Sequence, residues 1–326
     1  MSNQTGEPGT PGTTATVGAS GSAPSGLGRG ILLAVLAYGL WGFLPLFFLL
    51  LTPATALEIV AWRVLFSLVF CAILLWITRG WRHLFELLRD RRVALTLLAA
   101  GILILINWLV YVYATTSHNV VEASLGYFAN PIVTVLLGIF VLRERLRPLQ
   151  WASIGLTAVA VLVIAINYGA FPWIAMALAF SFGLYGLIKK RVGGRVDAVS
   201  GLTIETMWLA PIAVAQLVFV GLTTGITIGH VSVLQTVAMC LAGVVTATPL
   251  LLFAGAARRL PLTMIGLTQY LTPLMQFLIG VLLLHEAMPL PRLIGFVLVW
   301  VALVVLTVDL FRSSRARRAR LATAAA

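Results

Sequence analysis

The chain has 326 residues, 60% of them hydrophobic and only 10% charged, with a formal net charge of +12. Soluble globular domains are about 45–50% apolar and about 25% charged, so this composition excludes an ordinary soluble domain. Cys71 and Cys240 both sit inside apolar runs, which gives neither a disulfide framework nor a metal-ligand spacing.

Residues 1–29 are dominated by Gly, Ser, Thr, Ala and Pro. Such a composition cannot bury a core and predicts a disordered tail. A spanning helix needs about 20 mostly apolar residues. Ten segments qualify: Gly30–Leu51, Leu57–Thr78, Val93–Thr115, Val121–Leu142, Leu149–Asn167, Pro172–Ile188, Ser200–Leu222, Val233–Ala257, Leu262–Leu284 and Arg292–Leu310. The first reads as an uncleaved signal anchor. None alternates apolar and polar residues as a barrel strand would. The predicted class is therefore an all-α integral membrane protein with ten transmembrane helices.

The basic residues set the orientation. Arg79, Arg82, Arg89, Arg91 and Arg92 follow the second segment, Arg143, Arg145 and Arg147 the fourth. Lys189, Lys190, Arg191 and Arg195 follow the sixth, and Arg258 and Arg259 the eighth. With Arg29 and five arginines in the tail 311–326, 20 of the 22 basic residues fall on one side. The positive-inside rule makes that side cytoplasmic, with both termini on it, in a bacterial inner membrane. The net charge is thus a topology signal, and no nucleic-acid partner is expected. The basic tail belongs near anionic headgroups of the bilayer.

The two halves repeat. A shift of 142 positions aligns Ala100-Gly101 with Ala242-Gly243, Pro131 with Pro273, Gly138 with Gly280 and Glu144 with Glu286. A shift of 144 aligns Tyr38-Gly39-Leu40-Trp41-Gly42 with Phe182-Gly183-Leu184-Tyr185-Gly186. The predicted repeats are residues 30–167 and 172–310, with five helices each. An odd number inverts the second repeat, and inverted repeats are the architecture of alternating-access carriers, with substrate bound near midplane at the repeat interface.

Candidate pathway residues follow from polar stripes in apolar spans. Tyr127, Asn130 and Thr134 share one helical face, and their repeat partners Gln269, Thr272 and Gln276 share another. Such groups line a cavity or serve as interhelical hydrogen bonds. Asn107 and Tyr111 are four residues apart in the third segment. Trp41, Trp108 and Tyr185 could enclose an organic ligand or anchor at the membrane interface. Arg63, well inside a span, is suited to an anionic substrate group or to a carboxylate partner, for which Glu122 is better placed than Glu58. Glu58, Glu122 and Glu205 are the candidates for carrying a coupling proton, which needs a buried carboxylate. Glu144 and Glu286 sit at helix ends, where capping is expected. No P-loop, His-Glu-x-x-His, Gly-x-Ser-x-Gly or Asp-rich diphosphate motif occurs, so no catalytic residue, metal or cofactor is expected.

The string Glu122-Ala-Ser-Leu-Gly-Tyr-Phe-Ala-Asn-Pro131 and the run Arg143-Glu-Arg-Leu-Arg-Pro-Leu-Gln-Trp151 resemble the RarD branch of the EamA family, in the drug/metabolite transporter superfamily. So do Gly201-Leu-Thr-Ile-Glu-Thr-Met-Trp208, Arg258-Arg-Leu-Pro261 and Gln269-Tyr270. The likeness covers about residues 30–310. It implies a ten-helix carrier of two EamA repeats, without a cofactor, exporting amino acids, metabolites or drugs. The family pairs His with Arg early in the second helix, where this chain has Trp62-Arg63. The expected function is a secondary transporter exporting small organic metabolites or drugs, whose partners are that small-molecule substrate and the lipid bilayer. An uncoupled facilitator of the same fold, and a membrane enzyme or assembly factor, are the alternatives.

Overall fold

The computed structural model describes residues 26–116, 120–168 and 173–283, with scattered positions from 290 to 308. Both tails and most of the tenth predicted span lie outside the described residues. The described part is helical: α1 Gly26–Gly42, α2 Leu44–Leu49, α3 Ala56–Thr78, α4 Trp81–Arg89, α5 Arg91–Thr116, α6 Val120–Leu142, α7 Pro148–Tyr168, α8 Trp173–Val192, α9 Ala198–Thr223, α10 Val233–Ala257, α11 Leu262–Thr268 and α12 Leu271–Leu278, followed by a π-helical turn Ile279–Leu283. Six stretches are long and apolar enough to cross a bilayer, and Gly126–Leu142 and Pro148–Leu162 are shorter apolar helices. Helices suit these runs because hydrocarbon offers no partner to a free backbone N–H or C=O. Large apolar side chains on the outside, such as Trp76, Phe140, Leu222 and Val233, are more than 70% exposed, a surface made for lipid.

Three expected elements differ. The connection after α3 folds as the short helix α4, with Leu84 and Leu87 buried and Arg82 and Arg89 on it. Its alternation of apolar and basic residues is too short to span and was read only as a charged connection. The first and ninth spans are kinked. Pro45 has no N–H for the carbonyl of Trp41, and Pro273 has none for the carbonyl of Gln269. The hydrogen-bond ladder is accordingly disturbed between α1 and α2 and between α11 and α12, while Phe43, Gln269 and Tyr270 keep helical backbone.

The basic connections meet at one end of the molecule. A Cβ on Gly30 would touch Leu260 and Arg259, and one on Gly193 would touch Arg258. The imidazole of His83 lies 3.5 Å from the Asp197 carboxylate. The Glu144 carboxylate accepts from the backbone N–H groups of Leu262 and Thr263, both at 2.8 Å, and so caps α11. At the other end, Glu58 accepts from Thr227 N at 2.8 Å, from Ile228 N at 3.3 Å and from the Thr227 hydroxyl, which ties the loop after α9 to the start of α3.

The inverted repeat is visible in how the helices pair. α3 packs on α9 and α10, while α9 packs in turn on α5. α1 packs on α10 as α8 packs on α5, and α6 packs on α8 as α12 packs on α1. The helices α1, α3, α5 and α6 of the first half therefore lean mainly on the second half. The helix starts repeat as well. Thr55 accepts from Glu58 N at 3.3 Å, and 142 residues on, Asp197 accepts from Ser200 N at 2.9 Å.

The equivalent glycines let these crossings close, as small residues do between membrane helices. A Cβ on Gly101 would lie 3.3 Å from the Glu205 carbonyl oxygen, and one on Gly243 only 2.2 Å from the Phe66 carbonyl carbon. The Ser67 hydroxyl then donates to the Gly243 carbonyl at 3.1 Å. Gly243→Ala must push α10 off α3, at a cost of about 1–3 kcal/mol for overpacking. Unfolding of the detergent-solubilised protein should register that loss, whereas Gly155→Ala, whose Cβ would meet nothing within 4 Å, should unfold like the parent.

Candidate functional site

Kinked helices build the site. Pro45 frees the Trp41 carbonyl, and the side-chain amide of Gln276 donates to it at 3.4 Å. The Thr272 hydroxyl donates to the Tyr38 carbonyl at 2.8 Å. Polar side chains of α12 thus supply donors to the last turn of α1. Across the molecule, the Asn107 amide on α5 donates to the Leu178 carbonyl and to the Ser181 hydroxyl on α8, each at 3.0 Å.

Between these elements lies a cavity that opens in part to solvent. The expected pathway residues Arg63, Asn107, Tyr111, Tyr127, Asn130, Gln269, Thr272 and Gln276 line it, together with Trp41 and Trp108. Tyr38, Leu44, Phe48, Ile104, Phe182 and Pro273 complete the wall. Tyr38 and Phe182 fell in the repeated Gly-x-x-Gly strings, which was the available signal. Phe48 stands seven residues after Trp41 and four after Leu44, so helical spacing places it on the face that lines the cavity, but an apolar side chain in an apolar span gives no other signal.

Arg63 is 4% exposed on α3, about 10 Å from the end of that helix at 1.5 Å per residue. Its Nε donates to the Thr246 hydroxyl on α10 at 2.9 Å. The guanidinium carbon stands 4.6 Å from the ring centre of Trp108 and 5.3 Å from that of Phe48. No described carboxylate pairs with it, and the Glu122 side chain lies outside the described residues. Tyr111 and Tyr127 meet edge to face with ring centres 5.5 Å apart. Asn130 is 2% exposed, and its Oδ1 has no hydrogen-bond partner, like the hydroxyl of Tyr38.

Two expected lining residues are elsewhere. Thr134 is buried where α6 crosses α11, 3.5 Å from the Gln269 amide oxygen, behind the wall rather than in it. The close approach at Gly266 takes up that part of the polar stripe. Tyr185 is fully buried below the cavity toward the basic end. Its ring stacks on Phe253, which also contacts Phe182, Trp41 and Tyr38, so five aromatic rings form a floor. Beneath it, Lys189 and Glu205 form an ion pair of 2.6 Å, 4% and 1% exposed, and the Tyr185 hydroxyl donates to Glu205 at 3.2 Å. Lys190 donates to the Leu260 carbonyl at the same end. Glu58 is fully buried at the opposite end, with its oxygens engaged by the loop. Sequence reading took Lys189 for a loop charge, but α8 extends to Val192 and draws it inward. No group of His, Cys, Asp and Glu among the described residues is arranged to hold a metal.

The EamA-like transporter family model matches residues 28–166. Protein RarD of Streptomyces exfoliatus is 46% identical over 91% of this chain and 93% of its own length. Protein RarD of Escherichia coli (strain K12) is 38% identical over 88% of this chain and 96% of its own. The transporter YojE of Bacillus subtilis is 40% identical over 89% and 97%. A crystal structure with 19% sequence identity superposes with a TM-score of 0.64, covering 86% of this chain and 97% of the other, a likeness of fold. The chain belongs to the EamA-like transporter family and is a multi-pass membrane transporter with RarD proteins among its relatives.

Proposed function

We propose that this transporter is a secondary carrier that moves a small organic solute by alternating access through the cavity between the two repeats, in the direction of export. The observation that carries the reading is the cavity itself. It lies between inversely paired halves, is bounded by helices kinked at Pro45 and Pro273, and is closed toward the basic end by aromatic rings and an ion pair. A repeat interface lined by polar side chains is where carriers bind substrate. The basic end is assigned to the cytoplasm by the positive-inside rule, in a bacterial inner membrane with both termini inside. On this reading, the ring and ion-pair contacts at the basic end close the cavity toward the cytoplasm. The Glu144 cap on α11, the Lys190–Leu260 contact and the aromatic floor are then the contacts that must part for the inward-facing state.

Of the candidate carboxylates, Glu205 best suits proton coupling. Glu58 is held by loop N–H groups, whereas Glu205 is buried against a cation that protonation would release. A facilitator of the same fold would use the same cavity without that step.

Purified protein in proteoliposomes should show saturable uptake of a solute from a panel of amino acids and amphenicol-type drugs. Asn130→Ala and Gln276→Ala should each reduce it at least about tenfold, the scale of one lost polar anchor. Unchanged flux in both variants would remove the cavity from the pathway. Under an imposed pH gradient, Glu205→Gln should keep exchange of labelled solute but lose uphill accumulation. A parent protein indifferent to the gradient would identify the facilitator.

The Lys189–Glu205 pair also yields a stability test. Removing one partner leaves a buried charge unpaired, so Lys189→Met or Glu205→Leu alone should cost about 3–5 kcal/mol. The double variant should lose far less than the sum, as read from unfolding in detergent.

A further inference from the structure

The cavity contains one full charge and nothing described that neutralises it. Arg63 lines the space, is 4% exposed, and donates one hydrogen bond, from Nε to Thr246. Its guanidinium lies over the rings of Trp108 and Phe48, with Tyr111 and Tyr127 also close by. No acidic side chain appears in the cavity wall, and no described carboxylate lies within ion-pair distance of Arg63. The other buried cation among the described residues is treated differently, since Lys189 contacts the Glu205 carboxylate at 2.6 Å. Position 205 is the repeat equivalent of position 63, displaced by the same 142 residues as Gly101 and Gly243. At one position of the repeat the fold places an acid and pairs it. At the other it places a base that lines a cavity.

An uncompensated buried charge is costly, and aromatic faces offset only part of that cost. A guanidinium is planar and presents parallel N–H donors that match a carboxylate. The rest of the wall defines the remainder of a ligand. Asn130 Oδ1 is a buried acceptor without a donor, and the Tyr38 hydroxyl is likewise unpartnered. Trp41, Phe48, Trp108, Phe182, Tyr111 and Tyr127 give an apolar, largely aromatic enclosure.

From this we infer that the carrier's substrate class is an organic carboxylate. Its anionic group sits on Arg63, its apolar or aromatic body lies between the rings, and a hydrogen-bond donor reaches Asn130. The assignment rests on the carrier reading above and adds the sign of the substrate's charge. Amines are disfavoured, because the wall holds a cation and no described anion.

Matched probes test the charge alone. Phenylacetate, phenylacetamide and phenethylamine, with indole-3-acetate, indole-3-acetamide and tryptamine, would be titrated calorimetrically into the full chain in nanodiscs. Each acid should bind at least about tenfold more tightly than its amide, and each amine more weakly still, on the scale of one charged contact. Arg63→Gln should erase the preference for the acid, and Arg63→Lys should keep part of it. If Arg63→Gln does not fold, the comparison within the parent protein still decides. Amides that bind as tightly as acids, a preference that survives in Arg63→Gln, or no binding by any acid would overturn the inference. In the first case, Asn130-dependent flux of the amides would leave the carrier reading standing. With no binding at all, the proteoliposome flux panel decides that reading separately.

Discussion

Hydrocarbon gives no water to a free backbone carbonyl, and most of this structure answers to that constraint. Continuous helices satisfy it by themselves. Where Pro45 interrupts the ladder, the Gln276 amide supplies a donor to the freed Trp41 carbonyl, and the Thr272 hydroxyl adds one to the Tyr38 carbonyl a turn earlier. At Pro273 the Gln269 carbonyl accepts from the Thr272 N–H instead. Gln276 and Thr272 also line the cavity, so the kink at Pro45 and the cavity wall share residues. This arrangement can exist only where two halves of the chain face each other, because α12 supplies donors to the last turn of α1.

The reciprocal pairing of helices follows from the same repeat. Small residues at equivalent positions, Gly101 and Gly243, admit the partner's backbone at both crossings. The halves are nevertheless not in the same state. Pro131 and Pro273 are equivalent, yet α6 runs through its proline from Val120 to Leu142, whereas the ninth span kinks between α11 and α12. At the basic end, Glu144 caps α11 and five rings close the floor of the cavity. Two copies of one design held in different conformations are what a rocking carrier requires, since exchanging the conformations would exchange the open side.

Charge is distributed by the same logic. Basic side chains gather in the connections at one end, where headgroups and water solvate them. The two that lie inside are handled in opposite ways. Lys189 is neutralised at once by Glu205, a local structural solution reinforced by the Tyr185 hydroxyl. Arg63 has aromatic faces and one hydroxyl, with polar groups of α5, α6 and the ninth span turned toward the same space. The contrast separates a cation with an internal carboxylate partner from one that lines the cavity.

Residue order alone gave the class and pointed to the spanning segments and the repeat, because lipid demands about 20 apolar residues per crossing and the offset of 142 recurs along the chain. It also picked out Asn107, Asn130, Gln269 and Gln276, since a polar side chain in an apolar span is conspicuous. It could not tell a lining residue from one packed between helices. Thr134 shares a face with Asn130, but Gly266 lets α11 come close enough to cover it. Tyr185 and Lys189 read as wall and loop, and became floor and ion pair once α8 extended to Val192 and met Glu205 on α9. Helical periodicity states which residues share a side. Which sides meet a partner helix, lipid or open space is decided by close contacts between residues more than a hundred positions apart, and these exist only in the folded molecule.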